Sequence, residues 1–282
     1  MDLDENKGQV ETRNAKLKKI EAIRLSADTD MPLLEECAVA VEQPVTISID
    51  GLDDYTLMCT PSDLRALAVG FCFTEGIIRG INDIHLMHEC EDNPNIVRLR
   101  VANSEANGRV RNLIVTSSCG LCGSRSLEAI PDLTSCGEGL VVSMAILQSV
   151  LHEMKCRQST FQTTGGTHAA AIFLPDGRIV AFAEDIGRHN ALDKAIGKCL
   201  LEGQETVGQG VALSGRVSLE LVAKAAAAGL QLIAAVSAPS SLAVEAAEQC
   251  NMTLCGFVRQ NRATIYSHPY RVSDAEGFEN KQ

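Results

Sequence analysis

Apolar and polar positions set two different rhythms along the chain. Val45, Ile47 and Ile49 alternate with Thr46, Ser48 and Asp50, the period of two of a half-buried strand. Gly51, Asp53 and Asp54 supply a turn, and Tyr55, Leu57 and Cys59 resume the alternation. Thr60-Pro61-Ser62-Asp63 then predicts a helix start, with Thr60 placed to cap and Pro61 at the first helical position. Leu64, Leu67, Ala68 and Phe71 fall on its buried face. Further strands are expected at His85–Cys90 and Ile96–Val101, around a turn at Asp92-Asn93-Pro94.

After Ser143 the spacing becomes helical, with Met144, Leu147, Val150, Leu151 and Met154 behind a serine cap. Ala169–Leu174 and Ile179–Phe182 read as a hairpin about Pro175-Asp176-Gly177. Helices are expected over about 189–201, 218–228 and 241–250, with strands over 211–213, 231–236, 253–258 and 263–266. That alternation predicts an α/β fold: a mainly parallel sheet inside a three-layer α/β/α domain, joined to a smaller N-terminal α+β domain. The expected division is 1–31 as a charged, aperiodic, mobile arm, 32–115 as the small domain, 116–142 as a linker loop and 143–282 as the α/β domain. In such sheets, ligands gather at the carboxyl ends of strands, where loops and helix N-termini converge.

Composition narrows the function classes. With 36 acidic and 25 basic residues the net charge is −11, which argues against a polyanion such as nucleic acid as the main partner. The 4% aromatic content and the absence of tryptophan leave no base-stacking platform. No apolar run approaches the roughly 20 residues that cross a bilayer, and the N-terminus has no apolar signal core, so the expectation is a cytoplasmic protein without membrane contact. Eleven cysteines, an odd number, fit free thiols better than a disulfide framework, with Cys72, Cys199 and Cys255 expected in the core.

Cys119 and Cys122 differ from these, standing in Ser117-Ser118-Cys119-Gly120-Leu121-Cys122-Gly123-Ser124-Arg125 between the two folded parts. A structural zinc site needs a second pair of comparable spacing, and Cys250 and Cys255 are too far apart to supply it, so no zinc is expected. Two readings remain open on spacing alone: a dithiol redox centre, and a thiolate that carries sulfur as a persulfide. Arg125 is placed to lower a thiol pKa.

Three further groups point to an anion. Thr163-Thr164-Gly165-Gly166-Thr167-His168 carries hydroxyls and paired glycines able to offer amides, or simply forms a tight turn. Glu184-Asp185-Ile186-Gly187-Arg188-His189-Asn190-Ala191-Leu192-Asp193-Lys194 is more polar than a helix start requires, with Arg188 and His189 at the positive end of the helix and Asp185 a capping candidate. Ser214-Gly215-Arg216 and Arg259-Gln260-Asn261-Arg262 add guanidinium groups, which bind phosphate oxygens bidentately.

In this order and spacing, CGLCG, TTGGTHAAA, EDIGRHNALDK, SGRVSLELVAKAA and GFVRQNRATIYSHP resemble the FdhD family of formate dehydrogenase accessory sulfurtransferases, from about Glu36 to Pro269. The resemblance implies a cytidine-deaminase-like fold for the second domain. It implies a protein that takes sulfur from a cysteine desulfurase and passes it to a molybdenum (or tungsten) cofactor, bis-molybdopterin guanine dinucleotide, destined for formate dehydrogenase. Cys119 then matches the persulfide-forming cysteine, Cys122 its companion, and Phe257, Val258, Arg259, Gln260, Asn261 and Arg262 the cofactor-binding segment, with GDP expected to bind as a fragment of the cofactor. Partners on this reading are the desulfurase, formate dehydrogenase and a second copy of the chain in a homodimer.

Zinc-dependent deamination is the rival that the same fold raises. It needs a glutamate two residues after the histidine and a PCxxC at the next helix. Ala191 stands at the first position, and Ser214–Ser218 contains no cysteine. A thiol–disulfide oxidoreductase and a non-catalytic cofactor-insertion chaperone remain the alternatives to sulfur transfer.

Overall fold

The computed structural model describes residues 15–27, 29–50, 53–90, 92–102, 113–115 and 139–275. The chain opens with β1 (Leu17–Ser26) and β2 (Thr29–Ala40), an antiparallel ribbon pairing Leu17 with Ala40 and Ile23 with Leu34. These residues were expected to belong largely to an aperiodic arm. Apolar positions on both faces of the ribbon hide the period of two, and cross-strand pairs such as Lys19–Glu36 and Arg24–Glu35 add to the ladder.

A five-stranded sheet follows, with β3 (Gln43–Ile49), β4 (Asp53–Cys59), α1 (Leu64–Thr74), β5 (Ile84–Glu89), β6 (Ile96–Val101) and β7 (Leu113–Val115) in the strand order β5-β6-β3-β4-β7. Val45, Ile47 and Ile49 alternate inward and meet Val97, Leu99 and Leu57 under Leu64, Leu67 and Phe71 of α1. Each such side chain, fully buried, contributes roughly 1.5–3 kcal/mol. The helix starts later than the sequence predicts, after Asp63 in the left-handed region (φ 54°). Thr60 does not cap it, because both its backbone groups and its hydroxyl bond to the second unit.

That unit contains α2 (Met144–Arg157), α3 (Ser159–Thr164), β8 (His168–Phe173), β9 (Ile179–Asp185), α4 (Arg188–Leu201), β10 (Gly210–Leu213), α5 (Leu219–Ala227), β11 (Leu232–Ala235), α6 (Ser241–Gln249), β12 (Thr253–Arg259) and β13 (Arg262–Ser267). The sheet order is β13-β12-β11-β10-β8-β9. Only β10, β11 and β12 pair in parallel, so the sheet is mixed rather than mainly parallel. The tight β8–β9 and β12–β13 hairpins impose antiparallel pairing on both flanks. One face packs Ala171, Phe173, Ala212 and Leu232 against Leu147, Val150 and Met154 of α2. The other packs Ile172, Val211, Ile233 and Leu254 against α4, α5 and α6, which completes the three-layer α/β/α arrangement. Ser143 caps α2 as predicted, its hydroxyl accepting from the Ile146 amide. No helix among the described residues is long and apolar enough to cross a membrane.

The two units meet where α1 crosses α4. A Cβ at Gly70 would lie 1.8 Å from the Asp193 carbonyl oxygen, and one at Gly197 would lie 1.9 Å from that of Ala66. The crossing therefore tolerates no side chain at either glycine. Gly197→Ala is expected to force the helices apart and to cost about 1–3 kcal/mol, as overpacking does, read as a lower urea midpoint.

Candidate functional site

The polar segment after β9 divides into an inward and an outward half. Inward, Asp185 is fully buried and uses both carboxylate oxygens. Oδ1 accepts from the Gly187 amide (2.7 Å) and Asn190 Nδ2 (2.9 Å). Oδ2 accepts from the Thr60 amide (3.0 Å) and Lys194 Nζ (2.6 Å). Lys194 also donates to the Thr60 carbonyl, and Asn190 to the Met58 carbonyl. Asp193, within α4, repeats the pattern: Lys224 Nζ donates to its Oδ2 (3.0 Å), to Thr74 Oγ1 (3.0 Å) and to Glu75 Oε1 (3.1 Å). Burial alone would lower the Lys224 pKa, but the facing carboxylates of Asp193, Glu75 and Glu220 raise it above the ordinary lysine value. Asp185, a pocket candidate from sequence, thus ties the two units together through four hydrogen bonds.

The outward half gathers at the carboxyl edge of β10. His168 pairs across the hairpin with Asp185, and a Cβ at Gly215 would stand 3.0 Å from its Nδ1, so the Ser214–Arg216 turn lies against the imidazole. Ser214 Oγ accepts from the Ala169 amide and holds that turn in place. Burial, then Arg188, lowers the His168 pKa, and Arg216 acts in the same direction. His189 is pushed down to about 3, again by burial and then by Arg188, Lys224 and His168. Its Nε2 lies 3.2 Å from Ser218 Oγ and 3.3 Å from Glu220 Oε2. Arg188 Nε is buried without a hydrogen-bond partner. Two guanidinium groups beside two uncharged imidazoles make a locally positive corner on an acidic chain, chemically suited to an oxyanion.

Gly165 and Gly166 contribute differently. Gly165 ends α3 with φ 67°, its amide donating to the Phe161 carbonyl, while the Gly166 amide donates to Thr164 Oγ1. Both amides are occupied, so the pair closes a turn. The far end of α3 is capped by Glu184, whose carboxylate accepts from the Thr160 and Phe161 amides and the Thr167 hydroxyl.

Phe257 to Arg262 form the end of the β12–β13 hairpin on the same edge of the sheet. Phe257 has φ 51°, and its amide donates to the Ser237 carbonyl of the neighbouring loop. Gln260 and Asn261, both at positive φ, make the two-residue turn between Arg259 and Arg262. Arg259, Gln260, Asn261 and Arg262 are exposed, whereas Val258 packs into the core. The open depression of about 700 Å³ on the outer face of the small sheet, lined by His85, His88, Arg98 and Arg100, lies elsewhere.

Cys119 and Cys122 lie outside the described residues. Their point of departure does not. β7 runs parallel to β4, with Val115 opposite Leu57, and β4 leads directly into Thr60 and its bonds to Asp185 and Ile186. The sequence reading missed Ser218, Glu220, Lys224 and Thr60. Glu220 resembles any acidic residue in a first helical turn, and the one usable signal was Lys224, a lone charge inside the apolar run Leu221–Ala228.

The FdhD/NarQ family model matches residues 40–273. The sulfur carrier protein FdhD of Saccharolobus solfataricus is 39% identical over 238 residues, covering 83% of this chain and 90% of that protein. Its counterpart in Mycolicibacterium paratuberculosis is 40% identical over 248 residues, covering 83% and 91%. The crystal structure of a Desulfotalea psychrophila protein described as a formate dehydrogenase accessory protein shares the fold, with TM-score 0.73 and 22% identity over 92% of this chain and all of that one. With a family model spanning both folded units and relatives aligned over most of their length, this chain belongs to the FdhD/NarQ family.

Proposed function

We propose that the chain is a sulfur carrier that acts for formate dehydrogenase, with Cys119 as the persulfide-forming residue and Cys122 as the second thiol. The observation that carries this reading is the course of β7. Val115 sits one strand away from Leu57, next to the Met58 carbonyl that accepts from Asn190. Adjacent strands are about 4.8 Å apart. Cys119 follows Val115 by four residues, which reach at most about 14 Å of chain. That reach from Val115, beside the strand that leads into Thr60 and its bond to Asp185, supports the reading. The relatives' designation as sulfur carriers supports the same reading.

The chemistry balances without outside electrons at the loading step. The Cys119 thiolate attacks the outer sulfur of a cysteine desulfurase persulfide, the sulfur–sulfur bond there breaks, and the desulfurase thiolate leaves. The acceptor on this reading is a bis-molybdopterin guanine dinucleotide cofactor, treated as cargo. Its phosphates fit the guanidinium groups of the sheet edge, and Phe257 offers an apolar face on the same hairpin. Ser214 and Gly215 position the His168 side of that edge.

Mass spectrometry after incubation with a cysteine desulfurase and cysteine tests the assignment. A gain of one sulfur on the Cys119–Cys122 peptide is expected. A loss of two hydrogens without sulfur would instead mark a thiol–disulfide oxidoreductase. Calorimetric titration of GDP tests the cofactor edge: Arg262→Ala is expected to lose about 1.5–3 kcal/mol of binding, the usual worth of a hydrogen bond to a charged group. Unchanged affinity would move the phosphates to Arg188 and Arg216.

A further inference from the structure

The ribbon of β1 and β2 is a sheet of its own, and all but its last residue precedes the stretch that the family model matches. A two-stranded hairpin alone is marginally stable in water. Ile23, Leu25, Met31, Leu33 and Leu34 are nevertheless each at least 60% exposed. β2 leans on α3 at the base of the ribbon, whereas β1 is exposed at every residue but Ala22. Among the described residues β1 pairs with β2 and with no other strand. The Val41 amide donates to the Lys16 carbonyl, so alternation turns the backbone groups of Leu17, Lys19, Glu21 and Ile23 away from β2. Such an edge is a template for another strand. We propose that this strand is β1 of a second copy of the chain, paired antiparallel about a two-fold axis at Ile20.

The charges along β1 select that register. Within one copy Glu21 stands directly opposite Glu36, an unfavourable pair of like charges. The axis at Ile20 sets Lys19 of the partner subunit on the free side of Glu21 and offsets that repulsion at both symmetry-related places. Leu17 falls opposite Ile23 of the partner subunit. Ile23 already faces Leu34 across the ribbon, so one apolar row continues from copy to copy. Axes through Lys19 or Glu21 would instead set like charges face to face. Lys16 and Arg24 meet at the ends of the ladder, where Glu35 neutralises Arg24 at 2.8 Å. β2 offers no equal edge, because Pro32 lacks an amide and Asp30, Glu35 and Glu36 have no basic residue beside them on that strand.

Disulfide trapping tests the register on the full chain. Residues at position 20 of the two copies form a pair without hydrogen bonds, with Cα atoms about 4.5 Å apart, a separation that a disulfide spans. Under mild oxidation Ile20→Cys is expected to yield a covalent dimer joined through position 20. Ile23→Cys should not join to itself, since its counterpart is Leu17, and the wild type controls for the eleven native cysteines. Sedimentation at micromolar concentration supplies the second measurement. The wild type should run at twice the chain mass, Glu21→Lys as a monomer, and Lys19→Glu with Glu21→Lys as a dimer again. A monomeric wild type, a dimer indifferent to Glu21→Lys, or a charge swap that fails to restore it would overturn the β1 pairing. Self-joining of Ile23→Cys in place of Ile20→Cys would do the same.

Discussion

Lys194→Met is expected to destabilise the protein by roughly 3–5 kcal/mol, the cost of leaving a buried carboxylate without its cation. Both side chains of the Asp185–Lys194 pair are fully buried, at 0% exposure, so water does not replace the lost ammonium. The methionine fills most of the lysine volume, which separates the charge effect from a cavity. Four donors converge on Asp185, two of them from the Thr60 backbone and Lys194, so the loss also frees the link between β4 and the second unit. Urea unfolding followed by far-ultraviolet circular dichroism measures it. The companion variant Asp185→Asn with Lys194→Met removes both charges and should recover part of the loss. A single variant within about 1 kcal/mol of the wild type would show that the pair contributes little beyond shape.

The same pair shows what the sequence could and could not reveal. Strands and helices with a clean period were legible: Ile96–Val101 is a strand over its predicted span, and Ser143 caps α2. Cys72, Cys199 and Cys255 are buried as expected. The ribbon of β1 and β2 was not legible, because Ile20, Ile23, Leu25, Leu33 and Leu34 are exposed and lie on both of its faces, so no single face repeats. The mixed sheet owes its antiparallel flanks to the β8–β9 and β12–β13 hairpins, whose turns stand in the sequence as Pro175-Asp176-Gly177 and Gln260-Asn261. For the EDIGRHNALDK segment the excess polarity was real, but only tertiary contact with Thr60, Thr74 and Glu75 shows that Asp185, Asn190, Asp193 and Lys194 serve the joint between units. His189 points instead to Ser218 and Glu220. Adjacent letters in the sequence point to opposite faces of one helix, and no spacing rule assigns those faces before the partner surface is known.

Cys119→Ala is expected to abolish sulfur delivery while leaving the thermal unfolding midpoint within about 2 °C of the wild type. The buried thiols among the described residues make poor substitutes. Burial pushes Cys59, Cys199 and Cys255 up to about 12 and Cys72 upward as well, so none supplies thiolate at neutral pH. Cys37 is also raised, by the Glu35 carboxylate 3.2 Å away. Cys250 is buried. A persulfide needs a thiolate that a donor enzyme can reach, and under the proposed function Cys119 is the residue that supplies it. The assay loads each variant with a cysteine desulfurase and cysteine, then follows activation of sulfur-deficient formate dehydrogenase in the presence of its cofactor. Cys119→Ala should give background activation with no sulfur on the peptide. Cys122→Ala should still take up sulfur but deliver less, because the second thiol is then missing when Cys119 must release its cargo. A folded Cys119→Ala protein that activates the enzyme normally would remove Cys119 from the reaction. Sulfur found on Cys156, the exposed cysteine of α2, in that variant would show where it had gone instead.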